Sequence, residues 1–244
     1  MRREVVMTEL KERIKVAKHI VFFGGAGVST ESNIPDFRSE QGIYATVQDY
    51  GIPPEEIISH SFFFRHTETF YDFYRKHMIF AEAKPNEAHK ALAKLEAMGK
   101  LKAVITQNID GLHQMAGSQT VFEIHGSIHR NHCTHCHAFY DLATIVSAEG
   151  IPQCTACGHV IKPDVVLYGE PLNEQLVSKS VDAIRQADML IIGGTSLSVY
   201  PAAGLINYYQ GENLILINKG ETPYDSNVDL HIRGNIGEVF QELM

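Results

Sequence analysis

The chain has 244 residues, a formal net charge of −8, 44% hydrophobic residues and four cysteines. It is long enough to bury a core without covalent staples, and its acidic balance lacks the basic footprint that grips a nucleic-acid backbone. No apolar run approaches the ~20 residues needed to span a bilayer, and the opening "MRREVVMTELKERIK" carries charge where a secretory leader is apolar. The expectation is a cytoplasmic protein with neither a membrane nor a nucleic-acid partner.

Leu10, Ile14 and Ala17 recur at helical spacing, so residues 7–17 read as an amphipathic helix leading into the apolar run "HIVFF". Gly24, Gly25 and Gly27 follow. The third glycine of the dinucleotide fingerprint is missing, and Pro35-Asp36-Phe37-Arg38 stands where a long helix is expected. Gly25 and Gly27 allow close approach to a pyrophosphate, Ser29 and Thr30 add hydroxyls, Arg38 offers a charge and Phe37 a ring face. Taken alone, the same loop also suits a tight turn.

The aromatic-rich stretch "SFFFRHTETFYDFYRKHMIF" reads as helical. Ala88, Ala91, Leu92 and Leu95 then mark a helix closed by Gly99, and "LKAVIT" reads as a buried strand ending in "QNIDGLH". Gln107, Asn108 and Asp110 bring donors and acceptors suited to ribose hydroxyls and a carboxamide, although a polar turn is the simpler alternative. "EIHGSIH" sets His125 beside Gly126, just ahead of the cysteines.

"CTHC" at 133–136 and "CTAC" at 154–157 are two Cys-x-x-Cys knuckles with 17 residues between them. Cys133, Cys136, Cys154 and Cys157 supply four thiolates, the donor set of a closed and therefore structural Zn²⁺ site. His129, His132, His135 and His137 leave a mixed Cys/His site open, and a redox pair is a further rival. Downstream, segments around 172–186 and 201–210 read as helical, and "DMLIIGG" and "NLILIN" as short buried strands.

Helices alternating with continuous apolar strands indicate an α/β fold with a parallel sheet covered on both faces. Residues 36 to about 84 and 128 to about 162 break the alternation and read as insertions. Polar or glycine-rich residues follow four strands, at 24–29, 107–110, 194–196 and 218–220, and ligands of such sheets lie outside the strands' carboxyl ends.

Taken in order, "GAGVS…IPDFR", "TQNIDGLH", "HG", the two knuckles, "VVLYGE", "GTSLSVYPAA" and "INKG" resemble the sirtuin family of NAD-dependent protein-lysine deacylases over nearly the whole chain. The resemblance implies a Rossmann-type doubly wound domain made of 1–35, 86–127 and 163–244. It also implies a smaller domain built from a helical module, 36–85, and a zinc module, 128–162. NAD would be consumed as a co-substrate, and one structural Zn²⁺ would sit on the four cysteines. Gly25, Ala26, Gly27, Thr30, Phe37 and Arg38 would line the cofactor pocket, and Gln107, Asn108, Ile109 and Asp110 would surround the nicotinamide ribose and carboxamide. Gly194, Thr195, Ser196, Asn218 and Ile236 would hold the adenosine half. An acetyl-lysine peptide would add as a strand against Val166, Gly169 and Glu170 on one side and Leu197, Val199 and Tyr200 on the other.

By the same resemblance, His125 is the general base acting through the ribose hydroxyls, with Asn108 the second catalytic residue. The products would be deacetylated lysine, nicotinamide and O-acetyl-ADP-ribose. Relatives that prefer acidic acyl groups carry Tyr and, three residues on, Arg; here Tyr71 is followed at that offset by Tyr74, and only Arg75 could substitute. Acetyl and longer apolar acyl groups are therefore expected over acidic ones. Family members commonly have Gly where Asn33 stands, and Asn tolerates the same left-handed backbone. Mono-ADP-ribosyl transfer, hydride transfer and a non-catalytic acetyl-lysine reader are the competing functions.

Overall fold

A computed structural model describes residues 2–37, 42–46 and 50–243. The chain opens on helix α1, Arg2–Val16, whose Leu10 and Ile14 are buried, and runs into strand β1, Ile20–Gly24. The long helix that usually follows such a strand is replaced by two single 3-10 turns, Ala26–Val28 and Thr30–Ser32. The second ends at Asn33, which takes the left-handed conformation (φ 62°, ψ 27°) that its short polar side chain tolerates.

Four helices come next: α2 Ile43–Thr46, α3 Pro54–Ile57, α4 His60–Arg65 and α5 Thr67–His77. The aromatic stretch is thus two helices rather than one, broken at His66 (φ −137°, ψ 49°). Helix α6, Glu87–Ala97, starts on a reciprocal cap: Asn86 accepts from the Ala88 N–H, and His89 Nδ1 accepts from the Asn86 N–H. Then follow β2 Leu101–Thr106, α7 Leu112–Met115, β3 Val121–Glu123, β4 Gly126–Cys133, β5 Phe139–Tyr140, α8 Leu142–Ser147, β6 Ile161–Val165, α9 Glu174–Gln186 and β7 Met189–Gly193. A 3-10 segment, Ala202–Tyr208, precedes β8 Leu214–Asn218, β9 Leu230–Arg233 and α10 Ile236–Leu243.

Six strands form one parallel sheet in the order β3-β2-β1-β7-β8-β9, and β5-β4-β6 form a separate antiparallel sheet. Numbered within the large sheet alone, the order is 3-2-1-4-5-6, that of doubly wound dinucleotide-binding folds. Side chains alternate between its faces. Ile20 and Phe22 of β1 join a core with α1, α6 and α10, while Val21 and Phe23 join a core with α9 and the 3-10 segment. A third core gathers Phe63, Phe70, Tyr71, Phe73 and Tyr74 with Ile128, Ile161, Cys133 and Cys154, so the helices 43–77 pack on the small sheet. Among the described residues, no helix is long and apolar enough to cross a membrane.

Candidate active site between the two sheets

The strand order reverses between β1 and β7, which makes that point of the large sheet the natural mouth for a ligand. Here two glycine loops interlock. The Gly25 N–H donates to the Gly193 carbonyl at 3.3 Å and the Gly27 N–H to that of Gly194 at 2.8 Å. Gly194 is left-handed (φ 58°), and a Cβ on it would lie 2.4 Å from the Val28 nitrogen, so no other residue fits without moving the loop.

A cleft of about 1110 Å³ opens from this mouth toward the small sheet. All four strand-end loops singled out by sequence line it, from Gly25, Gln107, Gly194 and Asn218 onward. The lining includes Gly25, Ala26, Gly27, Thr30 and Phe37 from the first loop and Gln107, Asn108, Ile109 and Asp110 from the second. Gly194, Thr195, Ser196, Asn218 and Ile236 also belong to it. Arg38 lies outside the described residues. This volume, with close-approach glycines at one end and hydroxyl and amide groups along the wall, fits a dinucleotide.

The polar groups are organised rather than merely adjacent. Ser29 Oγ donates to Asp110 Oδ2 at 2.7 Å and accepts from Asn108 Nδ2 at 3.0 Å, while the Leu112 N–H holds Asp110 Oδ1 at 2.9 Å. Burial raises the Asp110 pKa, partly offset by the Leu112 and Ser29 hydrogen bonds. Ser29, 1% exposed, is the link between the two loops. Its hydroxyl was visible in the sequence, but its partner 81 residues away was not. Gln107 Nε2 donates to Thr195 Oγ1 at 3.0 Å, and that oxygen also accepts from the Leu197 N–H at 3.2 Å.

His125 sits where the chain leaves β3 and enters β4, so it faces the cleft from the joint between the sheets. Gly126 makes the crossing possible: its φ is 79°, and a Cβ there would overlap the Asp164 carbonyl oxygen. His125 Nδ1 is 3.1 Å from the Gln107 carbonyl. A carbonyl only accepts, so Nδ1 carries the proton and Nε2 is left as the basic nitrogen. Burial lowers the His125 pKa from its ordinary 6.5, and the Gln107 carbonyl opposes that in part. The ring is therefore neutral and basic at neutral pH.

The far wall is the segment 166–170. Val166 N–H donates to the His125 carbonyl at 3.0 Å, and Val166, Gly169 and Glu170 line the cleft, as do Val199 and Tyr200 opposite them. The side chains of two residues expected beside the peptide point into the protein. Leu197 is 1% exposed, belongs to the core beside α9 and has a left-handed backbone (φ 54°). Glu170 spends both oxygens inside the protein, on Lys162 Nζ (3.1 Å) and the Leu167 N–H (2.9 Å) with one, and on His60 Nδ1 (2.8 Å) with the other. Tyr71 is fully buried and its hydroxyl donates to the Ile161 carbonyl; Arg75 donates to the carbonyls of Ile145 and Gly150. Neither lines the cleft, so Arg75 does not stand in for the missing cation.

The four cysteine sulfurs lie within 4.8 Å of one another, with Cys133–Cys157 at 3.4 Å and Cys136–Cys154 at 3.5 Å. A tetrahedral Zn²⁺ with bonds of about 2.3 Å sets its sulfurs roughly 3.8 Å apart, so the group fits that ion; a disulfide needs about 2 Å. Among the described residues no histidine joins it, which removes the mixed ligand set.

The model of the Sir2 family matches residues 25–201. The NAD-dependent protein deacetylase of Clostridium perfringens (strain 13 / Type A) is 58% identical over 239 residues, 98% of each chain, and that of Clostridium acetobutylicum is 57% identical over the same length and coverage. A solved Sir2 structure with deacetylated p53 peptide and 3′-O-acetyl ADP-ribose matches at TM-score 0.90 and 36% identity, covering 98% of this chain and 97% of that one. A Sir2–p53 peptide–NAD⁺ structure matches at TM-score 0.86 and 36% identity, with the same coverage. A glycine-loop cleft at the sheet's switch point, a four-cysteine group and these likenesses lead to one conclusion: the chain belongs to the Sir2 family.

Proposed function

We propose that this chain is an NAD-dependent protein deacetylase that removes acetyl groups from lysine side chains and yields nicotinamide and O-acetyl-ADP-ribose. One observation carries the reading. His125, its tautomer set by the Gln107 carbonyl and its own carbonyl accepting from Val166, lines one dinucleotide-sized cleft together with the glycine cradle and the 166–170 wall.

Bound NAD supplies an electrophilic ribose carbon with nicotinamide as leaving group. The glycines Gly25, Gly27 and Gly194 give the pyrophosphate room, and Ala26 and Thr30 line its path. Thr195, Ser196, Asn218 and Ile236 hold the adenosine half. Gln107, Asn108 and Ile109 surround the nicotinamide end, with Asp110 kept in place by Ser29. Phe37 covers the reacting side against water. His125 Nε2 accepts a proton from a ribose hydroxyl, which is the work of a base with a pKa below working pH. The peptide lies as an added strand between Val166 and Gly169 on one wall and Val199 and Tyr200 on the other, so backbone pairing supplies affinity and leaves sequence choice loose. Because neither Tyr71 nor Arg75 reaches the cleft, acetyl and longer apolar acyl groups are preferred over acidic ones.

The zinc held by Cys133, Cys136, Cys154 and Cys157 is structural, since four protein ligands leave no open position. The cofactor-binding unit is 1–35, 86–127 and 163–244, with 36–85 and 128–162 as its small partner. A cytoplasmic location completes the reading, supported by two Cys-x-x-Cys pairs fit for metal rather than cystine.

Incubation with NAD and an acetyl-lysine peptide, followed by mass spectrometry, tests the assignment. Nicotinamide and deacetylated peptide should form one for one. ADP-ribose left on protein would establish transfer instead, and growth of reduced-nicotinamide absorbance would establish a dehydrogenase.

A further inference from the structure

The segment that carries Phe37 and the 166–170 wall meet at a pair of hydroxyl groups. On the nucleotide side, Phe37 and Tyr44 are bound to each other twice: the Tyr44 N–H donates to the Phe37 carbonyl at 2.9 Å, and the two rings meet edge to face with centroids 5.6 Å apart. The Ile43 N–H, donating to the Asp36 carbonyl at 2.8 Å, repeats the pattern one residue earlier. Across the cleft, the Tyr44 hydroxyl lies 3.1 Å from that of Tyr168.

Tyr168 is in the middle of the 166–170 wall. Its backbone is fixed on both sides, the N–H donating to the Ile58 carbonyl at 3.0 Å and the carbonyl accepting from the His60 N–H at 2.9 Å. The residue is 40% exposed and, like Phe37 and Tyr44, lines the cleft. The side chain is thus the adjustable part of a rigid segment. A phenylalanine at position 168 would keep the ring and lose the contact.

We propose that Tyr44 is a positioning residue that couples the two substrates: its hydroxyl reads Tyr168 on the peptide wall, and its ring sets Phe37 over the nucleotide. A peptide strand lying along 166–170 restricts the Tyr168 ring, and through the hydroxyl pair it restricts Tyr44 and Phe37. The nucleotide then meets a site whose ordering cost has already been met in part, and it binds more tightly. Linkage makes the effect reciprocal, so the nucleotide tightens peptide binding by the same factor. This inference rests on the functional reading above, because it needs nucleotide and peptide at opposite ends of one cleft.

The test is a binding cycle on the full chain by titration calorimetry, using an acetyl-lysine peptide and carba-NAD, an NAD analogue whose glycosidic bond resists cleavage. The quantity read is the ratio of carba-NAD affinities with and without saturating peptide. In the unsubstituted protein the ratio should be about two- to tenfold, the range one neutral hydrogen bond is worth. It should fall toward one in Tyr44→Phe and in Tyr168→Phe, and the double variant should lose no more than either single variant.

A hydroxyl that only stabilised the fold would lower both affinities and leave the ratio intact, and that result overturns the proposal. So does a ratio of one in the unsubstituted protein, or additive losses in the double variant. If neither ligand binds the unsubstituted protein, the functional reading falls and takes the coupling with it. If both bind and the ratio survives the substitutions, the coupling alone falls.

Discussion

The two sheets of this molecule are held together by different means. The six-stranded sheet is stabilised by ordinary burial: Ile20, Phe22, Val104, Ile191 and Ile217 are all fully or almost fully buried on one face, with Val21, Phe23, Ile105 and Ile192 on the other. The three-stranded sheet has one strand of two residues, and its core joins helix aromatics to Cys133 and Cys154. A sheet that small buries too little of its own surface to stand alone. Burial organises the first half, and a metal clip plus borrowed aromatic rings organise the second.

Removing the clip should therefore give the largest effect and a local one. Structural zinc in small domains is worth about 10–16 kcal/mol at neutral pH. Cys133→Ala or Cys154→Ala should lose the bound zinc and unfold the segment 128–162, seen as lost amide protection there by hydrogen exchange, while β1 and β7 stay protected. A zinc-free protein with β4 and β6 still protected would break the contrast between the halves.

His125 stands at their joint, and its removal should leave both halves folded. His125→Ala should lower kcat by about 10²–10⁴, the usual worth of a general base, with peptide affinity largely kept. Because burial holds its pKa below 6.5, activity should be intact above that pH and decline as pH falls below it. An acid limb of kcat/KM centred above 6.5 would remove His125 from the role.

How much of this was legible beforehand depended on whether a feature was local in sequence. The knuckles, the Gly25–Gly27 loop, "QNID" and the four long strands are contiguous signals, and the structure brings all of them to one cleft or one metal-sized cluster. The antiparallel sheet and the short parallel strands β3 and β9 were not legible. Three or four residues show no periodicity, and "LHIR" becomes a strand only because β8 lies beside it. The burial of the Leu197 side chain was not legible either, because it lies in a loop whose left-handed backbone at that residue no hydropathy pattern marks. Ser29 gains its importance from a partner far along the chain.

Acid offers a lever on the large sheet's own core. His89 and His113 are buried with ring centroids 4.7 Å apart, and among the described residues neither His113 nitrogen has a hydrogen-bond partner. Burial pushes His89 down to about 4; burial, with a smaller contribution from His89, pushes His113 down to about 3. The unfolded chain takes up these protons near pH 6.5 while the native state refuses them. Stability is thus complete above 6.5 and falls toward pH 4, by up to ~1.4 kcal/mol per pH unit for each ring. His113→Phe, which keeps the ring beside Phe22, should flatten the dependence of unfolding free energy on pH in that window. Zinc release in acid is common to both proteins and cancels in the comparison, so an unchanged slope would show that the pair is not the lever.

The smallest effect concerns how the glycine loop is anchored within the large half. Glu31 Oε2 accepts from the Gly237 N–H at 2.6 Å, so a carboxylate sits at the start of α10, one residue past Ile236 in the cleft wall. A Cβ on Gly237 would lie 2.7 Å from Glu31 Oε1, so a larger residue there would displace the carboxylate from this contact. The N-terminal end of a helix favours negative charge by about 0.3–1 kcal/mol at exposed positions. Glu31→Gln retains an acceptor oxygen and loses the charge, so it should lower unfolding free energy by that amount, and the difference should shrink in 1 M salt. Because the contact lies wholly within the burial-organised half, the zinc content and the protection of 128–162 should not change. A loss of zinc on this substitution would show that the two halves share more of their stability than their separate cores imply.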